Sequence, residues 1–268
     1  GIFNKRRETI RHHHGKTHEY SLSNSILNAD VYISVPKLKT HKKVGATLNI
    51  KGLVGINSNK NFLIHWRIGF PATGGDEFPS PKKWWDYPMV ALRHALITIL
   101  TDKAYAWLKQ RLKGTALKIL VHDIRLSDGD HYRGAWEGND TTWRMAADLY
   151  QLFIKNKTRQ LSGNQKFFSI VDGIISGEGD GPFCPDARNT GVIIAGEDLL
   201  LVDSIAVRLM DFNIKRVRYL DHLLKLENKD IALCPIRSND FPENDFFDKN
   251  HRYFGFKQPS GWEHLSLH

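Results

Sequence analysis

The segment DVYISVPKLKTHKKVGATLNIKGLVGI, residues 30–56, decides the fold and raises the main chemical question. Its first part, DVYISV (30–35), is a β-branched run that ends at a proline, which predicts a strand. ATLNIKGLVGI (46–56) is compatible with a strand or a helix, and the helix is favoured. Residues 35–56 contain five lysines and one histidine but no acidic residue. Such uncompensated charge beside an apolar segment indicates a site for an anionic ligand.

Further along the chain, apolar runs that predict strands alternate with periodic segments that predict helices. The expected strands are 116–123, 166–175 and 191–196. The expected helices are 21–29 (begun by Ser21 or Ser23), 87–112, 138–156 (begun by Asn139 or Asp140) and 199–212. This alternation predicts an α/β fold with a mainly parallel sheet and crossover helices.

The chain has 268 residues, of which 41% are hydrophobic, and this is enough for a sizeable core. We predict a single α/β domain over residues 1–236, with an insertion near 66–115, where Gly, Pro and Trp are frequent. Residues 237–268 are polar and aromatic without a period, which predicts a tail that wraps around the domain.

The net charge of +9 favours an anionic partner such as phosphate, nucleic acid, anionic glycan or an acidic membrane surface. The two cysteines, Cys184 and Cys234, exclude a disulfide framework and a metal cluster held by cysteines alone. They suggest a reducing cytosol, so we expect a cytoplasmic protein. No apolar stretch is long enough to cross a bilayer, so no membrane span is expected.

Ligands of open parallel sheets bind beyond the carboxyl ends of the strands, and two stretches are expected there. One is the basic segment after residue 35. The other is DGIISGEGDGP (172–182), which carries Asp172, Glu178 and Asp180. Its glycines would let backbone amides approach a ligand. Together the two stretches predict a site with bases, acids and anion-binding lysines.

Each of these residues also has an ordinary structural interpretation. A run of lysines is commonly a solvated face, Lys51 can extend its ammonium to water, and an Asp-Gly pair commonly shapes a turn. In the functional interpretation, the catalytic candidates Lys51 and His41 perform proton transfer or bind an anion. The catalytic candidate Asp172, together with Glu178 and Asp180, supplies a base or holds a divalent metal. A desolvated lysine near other cations has a lowered pKa and can act as a base or nucleophile.

The remaining candidates bind the substrate or a metal ion. The substrate-binding candidates are Lys37, Lys39, Lys42, Lys43, His65 and Arg67. Glu178 and Asp180 are candidate ligands of a divalent metal, although the cofactor is otherwise unknown. Asp203 stands inside LLLVDSIAV and is expected to be buried, where it would cap a helix or bind a catalytic lysine. His14 and His18, four positions apart, could bind a metal ion if the segment were helical, and Gly15 argues against a helix.

Several longer motifs carry a family resemblance. They are VPKLKTHKKVGATLNIKGLVGIN (35–57), HWRIG (65–69), GGDEFP (74–79), WEGNDTTWRMAADL (136–149), IVDGIISGEGDGP (170–182) and GVIIAGEDLLLVDSIAVRLMDF (191–212). In this order they resemble the bacterial and archaeal domain of unknown function 362 family. The resemblance implies an α/β domain whose family pattern begins before Gly1. Some members bear an iron–sulfur module, but this chain lacks its cysteine spacing, so no such cluster is expected. The segment DLLLVD departs from the usual Pro-Val-Ala-Val-Asp run and keeps the acid as Asp203.

A weaker resemblance connects the chain to the nickel-pincer lactate racemases. Those enzymes have a strand, a histidine, a glycine-bearing segment, a lysine ten positions on and a later histidine. The corresponding residues here are His41, Lys51 and His65. In the racemases the lysine holds the pincer cofactor and a histidine completes the nickel site.

Two classes of function therefore remain open. The first is an enzyme, isomerase-like, racemase-like or metal-dependent, that acts on a small phosphorylated or carboxylated metabolite. The second is a non-catalytic module that binds nucleic acid or anionic glycan, or a metal-linked assembly factor. The basic residues cluster beside glycines instead of spreading along a surface with stacking aromatics, which favours the compact site of an enzyme. Binding of nucleic acid is then expected to be weak and non-specific.

Overall fold

The computed structural model describes residues 6–81, 83–111, 133–160 and 166–268. Within these ranges the predicted α/β class is confirmed. The helices are α1 (Arg6–His12), α2 (Asn24–Leu27), α3 (Leu48–Gly52), α4 (Asp86–Ile99), α5 (Asp102–Arg111), α6 (Thr142–Gln160), α7 (Leu199–Leu209) and α8 (Arg218–Leu226). The strands are β1 (His13–His14), β2 (Thr17–His18), β3 (Val31–Ser34), β4 (Lys37–His41), β5 (Gly45–Ala46), β6 (Lys166–Glu178) and β7 (Asp186–Gly196). The predicted strand 116–123 lies outside the described residues.

The long strand β6 organises the central sheet. β3 and β4 follow one another along one edge of β6, and both run parallel to it, as predicted. The amide of Asp172 donates to the carbonyl of Pro36 (2.9 Å), so the proline between β3 and β4 does not break the alignment. Pro36 lacks an N–H group, but its carbonyl remains available for this bond. The basic segment and the segment 170–182 therefore lie side by side, which the sequence predicted.

The other edge of β6 forms an antiparallel hairpin with β7. The sequence predicted a loop over 176–182 and a short strand over 191–196. Instead β6 continues to Glu178, and β7 begins at Asp186. Residues 176–178 were misassigned because glycines normally weaken strands, whereas residues 179–182 lie outside the strands as predicted. In β6, Gly177 allows close packing, because a Cβ atom added there would lie 3.2 Å from the Cβ atom of Lys39 on β4.

One face of the sheet packs against α3 and α7 and contributes to the main core, which α6 and α8 extend. Buried residues on this face include Ser34, Ser169, Val171 and Ile194. Burial of such a continuous apolar surface is the main force that holds the helices against the sheet. Ile33 and Phe168, which are aligned on neighbouring strands, are exposed.

The predicted helix 87–112 is interrupted. α4 ends at Ile99 and α5 begins at Asp102, because Leu100 adopts an extended backbone conformation (ψ 141°). The hydroxyl of Thr101 accepts a hydrogen bond from the amide of Ala104 (3.2 Å), which caps α5. The pair Thr-Asp at 101–102 is a helix-start signal that the apolar periodicity concealed.

The helix predicted over 138–156 is α6, which begins at Thr142 and ends at Gln160. Its first turn is capped by Asn139, whose side-chain oxygen accepts from the amides of Thr141 (3.2 Å) and Thr142 (2.8 Å). Of the two predicted caps, Asn139 is therefore confirmed. Asp140 instead accepts a hydrogen bond from the indole of Trp143.

The C-terminal segment runs over the end of the β6–β7 hairpin. The amide of Lys257 donates to Glu178, and the amide of Ser260 donates to Asp180 (2.8 Å). The indole of Trp262 donates to the carbonyl of Lys42 (2.7 Å). These bonds connect the segment to both stretches that the sequence selected for chemistry.

Candidate functional site

A buried polar network fixes the position of α3. The carboxylate of Asp203, on α7, accepts hydrogen bonds from the amides of Asn49 (3.0 Å) and Ile50 (2.9 Å) and from the side chain of Asn49 (2.7 Å). The hydroxyl of Ser169, on β6, donates to the side-chain oxygen of Asn49 (2.9 Å). Asp203, Asn49 and Ser169 are fully buried. Burial raises the pKa of Asp203 to about 7, while these hydrogen bonds act in the opposite direction.

Asp203 therefore caps a helix, one of the two roles that the sequence predicted for it. It does not bind Lys51, which follows Ile50 directly. The first residue of α3, Leu48, has a φ of 38°, an unfavourable conformation for a residue other than glycine. Backbone strain of this kind persists where the surroundings enforce it, and it is concentrated at functional sites.

α3, β4 and the segment after residue 60 bring together five basic side chains, Lys39, His41, Lys43, Lys51 and His65, which we call the basic cluster. The positive charges of Lys39, Lys43 and Lys51 lower the pKa values of other members of the cluster. Four of the five come from residues 35–56, and His65 joins them from outside that segment.

His41 is the most deeply buried member of the cluster. Its Nδ1 atom accepts a hydrogen bond from the backbone amide of Lys43 (3.0 Å), so the neutral ring carries its proton on Nε2. Burial, followed by the charges of Lys51 and Lys43, lowers the pKa of His41 well below its ordinary value. His41 is therefore a neutral hydrogen-bond donor at neutral pH.

Lys43 is held by a carbonyl and an aromatic ring. Its ammonium donates to the carbonyl of Arg133 (2.6 Å) and lies 4.4 Å from the centre of the Trp66 ring. Burial and the charge of Lys51 lower the pKa of Lys43 to about 7, although Asp76 and Glu77 act in the opposite direction.

The carboxylates of Asp76 and Glu77 form hydrogen bonds elsewhere. Asp76 accepts from the hydroxyl of Thr141 (2.6 Å) and from the amide of Asp140 (2.8 Å). Glu77 forms a two-pronged, buried ion pair with Arg93, at 2.8 and 3.1 Å. Asp76 and Glu77 therefore raise the pKa of Lys43 through their negative charge, and not through an ion pair with its ammonium.

Lys51 is half-buried, and its ammonium has no hydrogen-bond or ion-pair partner among the described residues. Burial and the charge of Lys39 lower the pKa of Lys51 to about 8. The sequence offered Asp203 as a possible partner of a catalytic lysine and Asp172 as a nearby base. Asp203 binds α3 and Asp172 binds Lys37, so neither carboxylate compensates Lys51.

His65 completes the cluster as a second neutral imidazole. Burial, followed by the charges of Lys43 and Lys51, lowers its pKa to about 3. Its backbone carbonyl accepts hydrogen bonds from Asn139 (2.9 Å) and Thr142 (2.7 Å) at the start of α6. Helix α6 therefore fixes the main chain that carries this ring.

The other predicted residues lie in separate ion pairs. Lys37 binds Asp172 (2.5 Å) in a pair with both side chains about 40% exposed. Lys42 binds Asp180 (2.8 Å), which also accepts from the hydroxyl of Ser260 (2.7 Å). Lys42 and Asp180 therefore help to attach the C-terminal segment. Lys42, Lys37 and Asp172 do not belong to the basic cluster.

Two further candidates also have partners outside the cluster. Glu178 binds Arg188 (2.6 Å), which lies on β7 and is aligned with Ser176 on β6. Arg67 reaches Asp140 (3.3 Å), which also contacts Arg144 (3.1 Å). Among residues 6–81, 83–111, 133–160 and 166–268, no three His, Cys, Asp or Glu side chains are arranged to hold a metal ion. The metal role of Glu178 and Asp180 stays a prediction.

The glycine at position 181 serves a close contact within the protein. A Cβ atom added to Gly181 would lie 2.0 Å from the carbonyl oxygen of Thr40, on β4. The amide of Lys42 donates to the carbonyl of Gly181 (3.0 Å), and the hydroxyl of Thr40 donates to the carbonyl of Gly179 (2.8 Å). The sequence predicted that this glycine-rich stretch approaches a ligand, but at this position it approaches β4.

Sequence reasoning did not assign Thr47, Trp66 or Arg133 to this cluster. The hydroxyl of Thr47, at the start of α3, is buried and has no hydrogen-bond partner among the described residues. Its amide donates to the carbonyl of Lys39 (3.0 Å), which places Thr47 beside the cluster. Thr47 could have been noticed as a polar residue before an apolar helix start, whereas no local signal identifies Trp66 or Arg133.

Two surface depressions lie away from the cluster. One is lined by Arg7, Arg11, His12 and Asp102, among others. The other lies between Trp136, Glu137, Arg218 and Gly261. In the described part of the chain, none of the helices has the length and apolar character that a bilayer crossing requires.

Comparison with known families gives one match. Residues 2–208 match the family model described as Domain of unknown function (DUF362), and the chain therefore belongs to that family. The search of curated proteins and the search of solved structures gave no match. The resemblance to the lactate racemases stays a prediction.

Proposed function

We propose that this member of the DUF362 family binds a small phosphorylated or carboxylated metabolite at the basic cluster and acts on it as an enzyme. The observation that carries the proposal is the missing partner of the Lys51 ammonium. Its ammonium is half-buried among other cations, without a hydrogen bond or ion pair to any described residue. A desolvated charge without a partner is costly, and an anionic ligand would supply the missing partner.

The cluster offers two kinds of group to such an anion. Lys39, Lys43 and Lys51 supply positive charge when protonated. His41, with its proton on Nε2, and neutral His65 supply hydrogen bonds without adding charge. Phosphate and carboxylate groups accept several charge-assisted hydrogen bonds at once, which suits this combination.

Lys51 is also the residue that we assign to the chemistry. With a pKa of about 8, an appreciable fraction of its amine is unprotonated near neutral pH. A neutral amine in a partly buried site can remove a proton from a substrate carbon or add to a carbonyl. His41 is the partner that could donate a hydrogen bond through Nε2 to a developing negative charge.

Calorimetric titration of the full chain with inorganic phosphate and with lactate tests the binding proposal. Lys51→Met is expected to lower the affinity for the more tightly bound of the two ligands at least tenfold, because it removes the unpaired charge. Lys37→Met is the matched control, since Lys37 belongs to the same segment but is already paired with Asp172. Equal affinities of the wild type, Lys51→Met and Lys37→Met would contradict the proposal.

A separate experiment tests the catalytic part. Native mass spectrometry of the purified chain would identify an anion that co-purifies with it. That compound is then incubated with the protein in D2O. Solvent deuterium entering the compound with the wild type but not with Lys51→Met supports proton abstraction. If the compound binds but neither exchanges deuterium nor is turned over, the protein is a binding module and the catalytic part of the proposal is wrong.

A further inference from the structure

The N-terminal hairpin places two imidazoles together, far along the chain from the basic cluster. β1 and β2 pair through His13 and His18, and the turn between them contains Gly15, whose φ is 58°. This is the left-handed conformation that two-residue hairpin turns require. Because paired residues of an antiparallel hairpin project to the same face, His13 and His18 meet side by side. Their Nδ1 atoms are 3.2 Å apart.

The protonation of this pair follows from its hydrogen bonds. The Nε2 atom of His13 lies 2.9 Å from the carbonyl oxygen of Phe62, which can only accept, so Nε2 of His13 carries a proton. In the neutral ring, Nδ1 of His13 then has a free lone pair, and Nδ1–H of His18 donates to it. Donation of the remote ring N–H to a carbonyl is also the arrangement that orients histidine ligands in metal sites.

We propose that His13 and His18 bind one divalent transition-metal ion of the zinc class through their Nδ1 atoms, with water in the remaining positions. Two nitrogens bound to a tetrahedral zinc ion at about 2.0–2.1 Å lie roughly 3.3–3.4 Å apart. The observed separation of 3.2 Å is close to this value. Imidazole nitrogens suit zinc, copper and nickel ions.

The surroundings of the pair support a cation. His18 is exposed, so an ion can enter from solvent. The hairpin is held in place because His12 stacks on the Phe62 ring, with a centroid distance of 3.6 Å. Tyr20, whose ring contacts that of His13, donates to the carboxylate of Asp148 (2.8 Å). Asp148 is close enough for its negative charge to act on His13.

Metal binding requires a change of tautomer at His18. The proton on Nδ1 of His18 must leave that atom, and in the metal-bound state the neutral ring carries a proton on Nε2. His13 keeps its proton on Nε2 and its hydrogen bond to Phe62. The exchange of tautomer at His18 is therefore a specific signature, distinct from binding at an unrelated surface histidine.

Zinc titration of the full chain by calorimetry, with nitrogen NMR of the histidine rings, tests this proposal. We expect one zinc ion per chain and a shift of the His18 proton from Nδ1 to Nε2. His18→Ala removes an exposed side chain and is expected to weaken zinc binding at least tenfold. His14→Ala is the matched control, because the Nδ1 atom of His14 faces the carbonyl of Arg11 (2.8 Å) instead.

Three results would overturn the proposal. They are the absence of stoichiometric zinc binding by the wild type, unchanged binding by His18→Ala, and an equal loss in His14→Ala. The last result would assign the zinc to the His12–His14 run. The double variant His13→Gln, His18→Gln, checked for its fold by circular dichroism, provides a second measurement and is expected to bind zinc no better than His18→Ala.

Discussion

The carboxylate of Asp203 holds Asn49 by both its backbone amide and its side chain, at 3.0 and 2.7 Å. This contact joins α7 to the first turn of α3, and Lys51 stands two residues further on. The geometry of the basic cluster therefore depends on a buried acid that does not itself belong to the cluster.

Replacement of Asp203 by alanine should destabilise the fold. It would leave the amides of Asn49 and Ile50 and one side-chain amide buried without their acceptor. Since an unsatisfied buried group costs about 1–3 kcal/mol, we expect a loss of about 3 kcal/mol or more in the free energy of unfolding. Urea denaturation measures it. Asp240→Ala, at an exposed position, is the control, and a similar stability of the two variants would refute the capping role.

The affinity of the cluster for an anion should fall as the pH rises. The pKa of Lys43 is about 7 and that of Lys51 about 8, so both lose their protons between pH 6 and 9. An anion prefers the protonated form and must recover these protons at higher pH. Deprotonation of Lys51 alone weakens binding about tenfold between pH 7 and pH 9, and Lys43 adds to this, so we expect sulfate, whose charge is constant in this range, to bind at least tenfold more weakly at pH 9.

The same sulfate titration with Lys51→Met separates the contributions of the two lysines. Without Lys51, the affinity at pH 7 should be lower and its dependence on pH shallower. A wild-type affinity that stays constant from pH 6 to 9 would show that neither lysine titrates at the bound anion.

Substitution of Gly181 should disturb the contact between the hairpin end and β4. The added Cβ of Gly181→Ala would lie 2.0 Å from the main-chain oxygen of Thr40, which cannot rotate away. Overpacking of this kind typically costs about 1–3 kcal/mol, and thermal unfolding would reveal it. In the control Gly55→Ala, no atom lies within 4 Å of the added Cβ. Equal melting temperatures for both variants would contradict the close contact.

Binding to nucleic acid should be weak at physiological salt. The net charge of +9 makes some binding at low salt expected, because neutralised phosphates release counterions. We expect affinity to fall steeply between about 50 and 200 mM salt, without preference among duplex or single-stranded sequences. A fluorescence titration with labelled oligonucleotides measures this. Sequence-selective binding that survives 200 mM salt would favour the binding module.

The sequence predicted the elements whose signals are local. The β-branched run before Pro36 became β3, and the polar pair Asn139–Asp140 marked the start of α6. The lysines of residues 35–56 also identified most of the basic cluster. Lys39, Lys43 and Lys51 are the lysines of this segment that lie in the cluster.

The partners of the charged residues could not be predicted, because they depend on tertiary contacts. Asp172 was expected to supply a base, yet strand register aligns it with Lys37. The role of Gly181 depends on how closely β4 approaches, and the pairing of His13 with His18 depends on a turn. In each case the local signal was visible, but its partner lay on another element.

The pKa of Lys51 shows whether the basic cluster is an anion site. Reductive 13C-methylation of the lysines, with the Lys51 signal assigned by its absence in Lys51→Arg, allows its titration to be followed by NMR. The structure predicts a pKa of about 8, which should rise when inorganic phosphate is added, because a bound anion stabilises the ammonium. A Lys51 pKa near 10.5 that does not respond to phosphate or lactate would contradict the account of this cluster as an anion site.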